Sequence, residues 1–72
     1  MIVWVVYDHP RDFPDLYIVR RQTAQQDGTI ANDVKAFGFQ ELERARAWLE
    51  LQGLTRLERH PDDDPVILET WI

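Results

Sequence analysis

The residues best suited to chemistry are two histidines, each followed by proline in an acidic setting: Asp8-His9-Pro10 and His60-Pro61-Asp62. Imidazole and carboxylate together suit a divalent metal. If the two loops met at one end of a sheet, His9, His60, Asp62 and the nearby Asp12, Asp63 and Asp64 would form a weak donor set for a metal-dependent enzyme or a metal-binding protein. The spacing argues for turns instead. No helical His-x-x-x-His or Glu-x-x-His pattern occurs, and aspartate beside proline is ordinary turn chemistry. No metal and no cofactor is therefore expected.

Nucleophilic catalysis has little material. The chain has no serine and no cysteine, and none of Thr23, Thr29, Thr55 and Thr70 adjoins a histidine. Gly28, Gly38 and Gly53 are scattered, so no phosphate-cradling loop exists and no small-molecule ligand is implied. Without cysteine there is neither a disulfide staple nor a thiolate zinc site. No catalytic residue is assigned, and enzymatic activity is disfavoured.

Glu69 stands out among the carboxylates. It lies in the apolar run Val66–Ile72, between Ile67 and Trp71. A carboxylate there needs a partner or an exposed position. Arg20, Arg21, Arg56 or Arg59 on neighbouring strands could supply a cross-strand ion pair. A fold-stabilising pair is the simpler reading; an Arg–Glu recognition surface is the alternative.

The elements that would position these groups follow from hydrophobic periodicity. Ile2–Tyr7 is a short run rich in valine and aromatics and reads as a strand apolar on both faces. Residues 8–15 form a loop with two prolines, and Leu16–Gln22 is the returning strand of an antiparallel hairpin. Asp27-Gly28 marks a turn. A short third strand is expected near Asp33–Phe37. The helix spans about Gln40–Gln52, with Leu42, Ala45, Trp48 and Leu49 on one side. Glu41–Arg44 and Glu43–Arg46 are spaced to pair along its surface. Its start is weakly capped at Gln40, and Gly53 with Leu54 suits a Schellman ending. Leu54–Arg59 and Val66–Ile72 read as closing strands.

The fold class expected is α+β: a single small domain over residues 1–72, ordered β-β-(β)-α-β-β. A sheet of four or five strands, mixed or antiparallel, carries the helix on one face. The apolar strands Ile2–Tyr7 and Val66–Ile72 belong at the centre, and the more polar Leu16–Gln22 and Leu54–Arg59 toward the edges.

Net charge is −5, with 13 acidic and 8 basic residues. That opposes a phosphate backbone, where cations must displace counterions, and disfavours nucleic acid. A nucleic-acid binder would need Arg20, Arg21, Arg44, Arg46 and Lys35 gathered on one side. No apolar run reaches the length of a membrane span, and the opening Met1–Tyr7 lacks a basic signal region. A soluble, cytoplasmic protein without a membrane partner is the expectation.

A helix of about thirteen residues is about 20 Å long and covers one face of such a sheet. The other face should therefore expose apolar groups, and contiguous apolar patches mark contact surfaces. Trp4 and Trp71 are the expected anchors, with Ile67, Tyr17, Glu69 and Arg20 around them. The function this implies is protein interaction or self-association as a homodimer, without catalysis. Loops folded across the face would be the alternative.

Several segments resemble a group of small uncharacterised bacterial and phage proteins. They are Tyr7-Asp8-His9-Pro10, Asp12-Phe13-Pro14-Asp15 followed by Val19-Arg20, Leu42-Glu43-Arg44-Ala45-Arg46, Leu57-Glu58-Arg59, and the closing Asp63-Asp64-Pro65-Val66-Ile67-Leu68-Glu69-Thr70-Trp71-Ile72. The likeness covers most of the chain apart from Gln22 to Gly38, and departs at Gln40, where serine or threonine would cap the helix. It implies a shared small fold of opening hairpin, helix and terminal strand. It implies no activity, ligand or catalytic residue.

Overall fold

The structure, a computed structural model, describes residues 1–58 and 65–72, and of residues 32–34 the backbone alone. Among these residues, five strands and one helix follow in the order β1 Ile2–Asp8, β2 Tyr17–Ala24, β3 Ile30–Phe39, α1 Leu42–Leu51, β4 Arg56–Leu57 and β5 Ile67–Trp71. The fold is α+β, as the patterning implies. The sheet order is β3-β2-β1-β5-β4 and every pair is antiparallel.

β1 occupies the centre, which suits its apolar residues on both faces. β5 lies beside it and β4 forms one edge. The placement of β2 toward an edge is corrected: β3 runs for ten residues and pairs along β2 from Tyr17 to Ala24. Pairing extends this third strand well beyond Asp33–Phe37, through Ala31 and Asn32, whose propensity for extended structure is weak. The β2–β3 turn is closed by Asp27, whose Oδ1 accepts from the Thr29 amide at 3.0 Å and the Thr29 hydroxyl at 2.7 Å. Gly28 takes φ 87° there, a conformation glycine adopts without a side-chain clash.

The helix lays Leu42, Ala45, Trp48 and Leu49 on the sheet, the side its periodicity selects. No side chain caps its start at Glu41. Its end is a Schellman motif: the Leu54 amide donates to Leu49 and the Gly53 amide to Glu50. Gly53 sits at φ 78° with no neighbour near a hypothetical Cβ, so a substitution there meets backbone strain rather than a clash. Gly53→Ala is expected to cost about 1 kcal/mol, read as a lower urea midpoint with an unchanged m-value.

The core joins the helix to one sheet face. Val6, Val19, Ala45, Leu49 and Trp71 form its buried centre, with Trp4, Phe37, Phe39 and Leu54 packed around. The Trp48 ring lies 4.8 Å from Phe37 and 5.6 Å from Trp4, edge-on to the latter. Such pairs stabilise beyond their buried area, about 0.5–1.5 kcal/mol each.

The decisive irregularity is a β-bulge in the β1–β5 ladder. Val6 pairs with Glu69 but Tyr7 pairs with Ile67, leaving Leu68 as the extra residue. The bulge resets the alternation of β5. Glu69 and Trp71 share the helix side with Val6 and Trp4, while Ile67 joins Tyr7 on the far side.

Candidate functional site

The sequence candidates divide between the two faces of the sheet. Trp4, Tyr17, Glu69 and Trp71 lie on the helix side, and Arg20 and Ile67 lie on the opposite, open side. The expectation that Trp4 and Trp71 anchor an open surface is thereby corrected. Trp71 is 3% exposed in the core, and Trp4 packs edge-on against Trp48. Both faces of β1 are apolar, so composition alone does not say which one the helix takes. Tyr17 is likewise removed from the open face and packs its ring 4.6 Å from His9.

Among the described residues Glu69 is the buried carboxylate, 6% exposed. Its Oε2 accepts from Arg46 Nε at 2.7 Å, Arg46 Nη2 at 2.5 Å and Arg56 Nη1 at 3.1 Å. Its Oε1 accepts from the Trp71 indole at 3.1 Å. Burial alone would push the Glu69 carboxyl upward, but the donors from Arg46, Trp71 and Arg56 outweigh it and hold it below the usual carboxylate range. A carboxylate ionised and engaged at both oxygens holds an ion-pair network; it is poorly placed to serve as a general base. The Arg–Glu recognition surface is therefore corrected to a cluster between helix and sheet.

Arg56 is one of the partners the strand pattern suggests, since it sits opposite Trp71 on β4. Arg46 is not. Its i,i+3 spacing points to Glu43, yet its hydrogen bonds go to Glu69 across 23 residues. The reach from helix to strand is set by tertiary packing and leaves no local signal. Glu41–Arg44 does form along the helix surface, at 3.6 Å.

The five cations proposed for a nucleic-acid surface do not gather. Arg20 and its neighbour Arg21 face opposite sides of β2, and Arg46 is committed to Glu69. As for a metal, no group of three or more histidine, aspartate or glutamate side chains converges among the described residues. His60, Asp62, Asp63, Asp64 and Arg59 lie outside the described residues. His9 Nδ1 is 2.5 Å from Asp8 Oδ1, and its backbone takes φ 48° ahead of Pro10. A left-handed, non-glycine residue before proline is strained, and local contacts must hold it. Asp8 and the Tyr17 ring supply them.

The open face has a floor of Val5 and Ile18, both buried. Around them stand Val3, Tyr7, Ile67 and Leu57, with Arg20 and Gln22. Leu16 reaches across Gly38 toward Ile18, so this face is less bare than the strand pattern implies. Leu57 remains 40% exposed. Among the described residues no helix covers this side, and no helix is long and apolar enough to cross a membrane.

Comparison with protein-family models finds no match, and comparisons with curated proteins and with solved structures find none either.

Proposed function

We propose that the chain is a non-catalytic interaction module that associates with a second copy of itself through the open sheet face. One observation supports this reading above others. The only helix among the described residues packs on the Val6–Val19–Trp71 side, so no described element forms a second layer over Val3, Tyr7, Leu57 and Ile67. A sheet with one apolar face covered and the other studded with aliphatic groups gains by burying the second. Each fully buried aliphatic side chain contributes about 1.5–3 kcal/mol, a sizeable fraction of the total stability of so short a chain. Self-association is also a common remedy for a domain too small to build a large core.

A two-fold pairing would set the same patch against itself. Leu57 is the most informative position, because it is half-exposed on a two-residue edge strand. In light scattering, the wild-type mass is expected to rise with concentration toward twice the chain mass of 8.6 kDa. Leu57→Asp, with Val3→Asp as an independent second variant, should return it to the monomer while leaving the far-ultraviolet spectrum unchanged. Equal monomer masses for wild type and both variants at the highest concentration would refute self-association.

A further inference from the structure

Where β1 and β2 meet the loop that joins them, the open side of the sheet carries a cleft of about 650 Å³, lined by Tyr7, His9, Arg11, Asp12, Arg20 and Val66 among others. Arg20 is half-buried on β2, and no described residue hydrogen-bonds or ion-pairs with its guanidinium. By contrast, the Arg46 and Arg56 guanidiniums both reach Glu69. A half-buried guanidinium presents a planar fork of N–H donors that matches an oxyanion. Tyr7 adds a second donor. Its oxygen accepts from Gln22 Nε2 at 2.9 Å, which leaves the phenolic proton unused. Burial raises the Tyr7 phenol above its ordinary value, more than Arg20 and Gln22 lower it, so that proton is retained at neutral pH.

Among the described residues the surrounding charges favour an anion. Asp8 is paired with His9, which leaves Nε2 as the unused ring nitrogen. Among the described lining residues, Asp12 is the one further carboxylate, set against the two guanidiniums of Arg11 and Arg20. The strained backbone of His9 fixes the wall of the cleft, and such strain clusters where a ligand is held.

We propose that this cleft binds a single oxyanion group, a phosphate or a carboxylate, between the Arg20 guanidinium and the Tyr7 hydroxyl. All the residues of the site come from one chain, but Tyr7 also belongs to the face proposed to self-associate, so the titration is made at a fixed low protein concentration at which the chain is monomeric.

Amide and side-chain NMR of the full chain, titrated separately with inorganic phosphate, acetate and chloride at constant ionic strength, tests this directly. The expected result is a saturable shift at Tyr7 and Arg20 with phosphate or acetate in the millimolar range, and none with chloride. Tighter binding of phosphate would mark a phosphate site, and tighter binding of acetate a carboxylate site. Arg20→Gln should weaken binding about tenfold or more, and Tyr7→Phe by a smaller factor, as expected for losing a charged and a neutral donor. Arg20→Lys keeps the stem over Val5 and the charge but loses the fork, and should fall between wild type and Arg20→Gln. The proposal fails if no saturable shift develops by tens of millimolar. It also fails if phosphate, acetate and chloride act alike, or if Arg20→Gln binds as wild type does.

Discussion

Trp71→Ala is expected to remove a large part, about half, of the domain's stability. The indole is 3% exposed and belongs to the core with Val6, Val19, Ala45 and Leu49. Truncating a buried tryptophan costs about 3–5 kcal/mol from lost transfer energy and the cavity left behind. A chain of this size has only about 4–10 kcal/mol in total. The same change removes the donor to Glu69 Oε1, leaving one oxygen of a buried carboxylate without its hydrogen bond. Trp71→Phe separates the two effects: it keeps most of the volume and loses the N–H, and should cost about 1–2 kcal/mol. Urea denaturation read by circular dichroism gives both values. A Trp71→Ala variant with a native midpoint would mean that this strand does not close the core.

Glu69→Gln is expected to destabilise by about 2–3 kcal/mol. The carboxylate is the shared acceptor of two guanidiniums and an indole, and a neutral amide serves all three less well. The guanidiniums can recover part of the loss from water, since Arg46 and Arg56 are 38% and 50% exposed. For that reason the pair energy is far below its value in a dry interior. The arginines should be unequal. Arg46→Ala removes two short bonds and should cost about 2 kcal/mol; Arg56→Ala removes one bond at 3.1 Å and should cost under about 1 kcal/mol.

The same network sets an acid dependence. The Glu69 carboxyl is held below its ordinary value in the folded state. The folded form therefore binds fewer protons than the unfolded one in that range, and stability falls as pH falls. The contribution is complete above the unfolded glutamate value of about 4.3 and is lost as pH drops through the lowered folded value. In Glu69→Gln this part of the acid slope should be absent. Parallel slopes for the two proteins between neutral pH and acid would place the lowered carboxyl elsewhere.

Much of the scaffold was legible because it rests on local rules. The face Leu42, Ala45, Trp48 and Leu49 follows from helical period, and the Schellman ending from Gly53 and Leu54. The opening hairpin follows from two strand-like runs around a proline-rich loop. The sidedness of the sheet was not legible. β1 is apolar at Trp4 and Val6 and again at Val3 and Val5, so alternation cannot say which set faces the helix. In β5 the bulge at Leu68 breaks the period of two, placing Ile67 on the opposite side from Glu69 and Trp71. The bulge accounts for Ile67 alone; Trp4 and its cross-strand partner Trp71 are in the core because the helix packs on the Trp4–Val6 side of β1. The Glu69–Arg46 pair was hidden for a related reason: Arg46 has a nearer acid at Glu43, and only tertiary packing brings Glu69 closer. The cleft around Tyr7 and Arg20 depends on strand register, which places residues 13 positions apart on one side of the sheet.

The reading of the open side as a self-associating surface is tested most directly by amide NMR of the undisturbed chain as its concentration is raised a hundredfold. Dimerisation through that side would move Val3, Tyr7, Leu57 and Ile67 together along one binding curve, with Ala45 and Leu49 unmoved and the tumbling time roughly doubled. Spectra that superimpose throughout, with tumbling that stays monomeric, would contradict it.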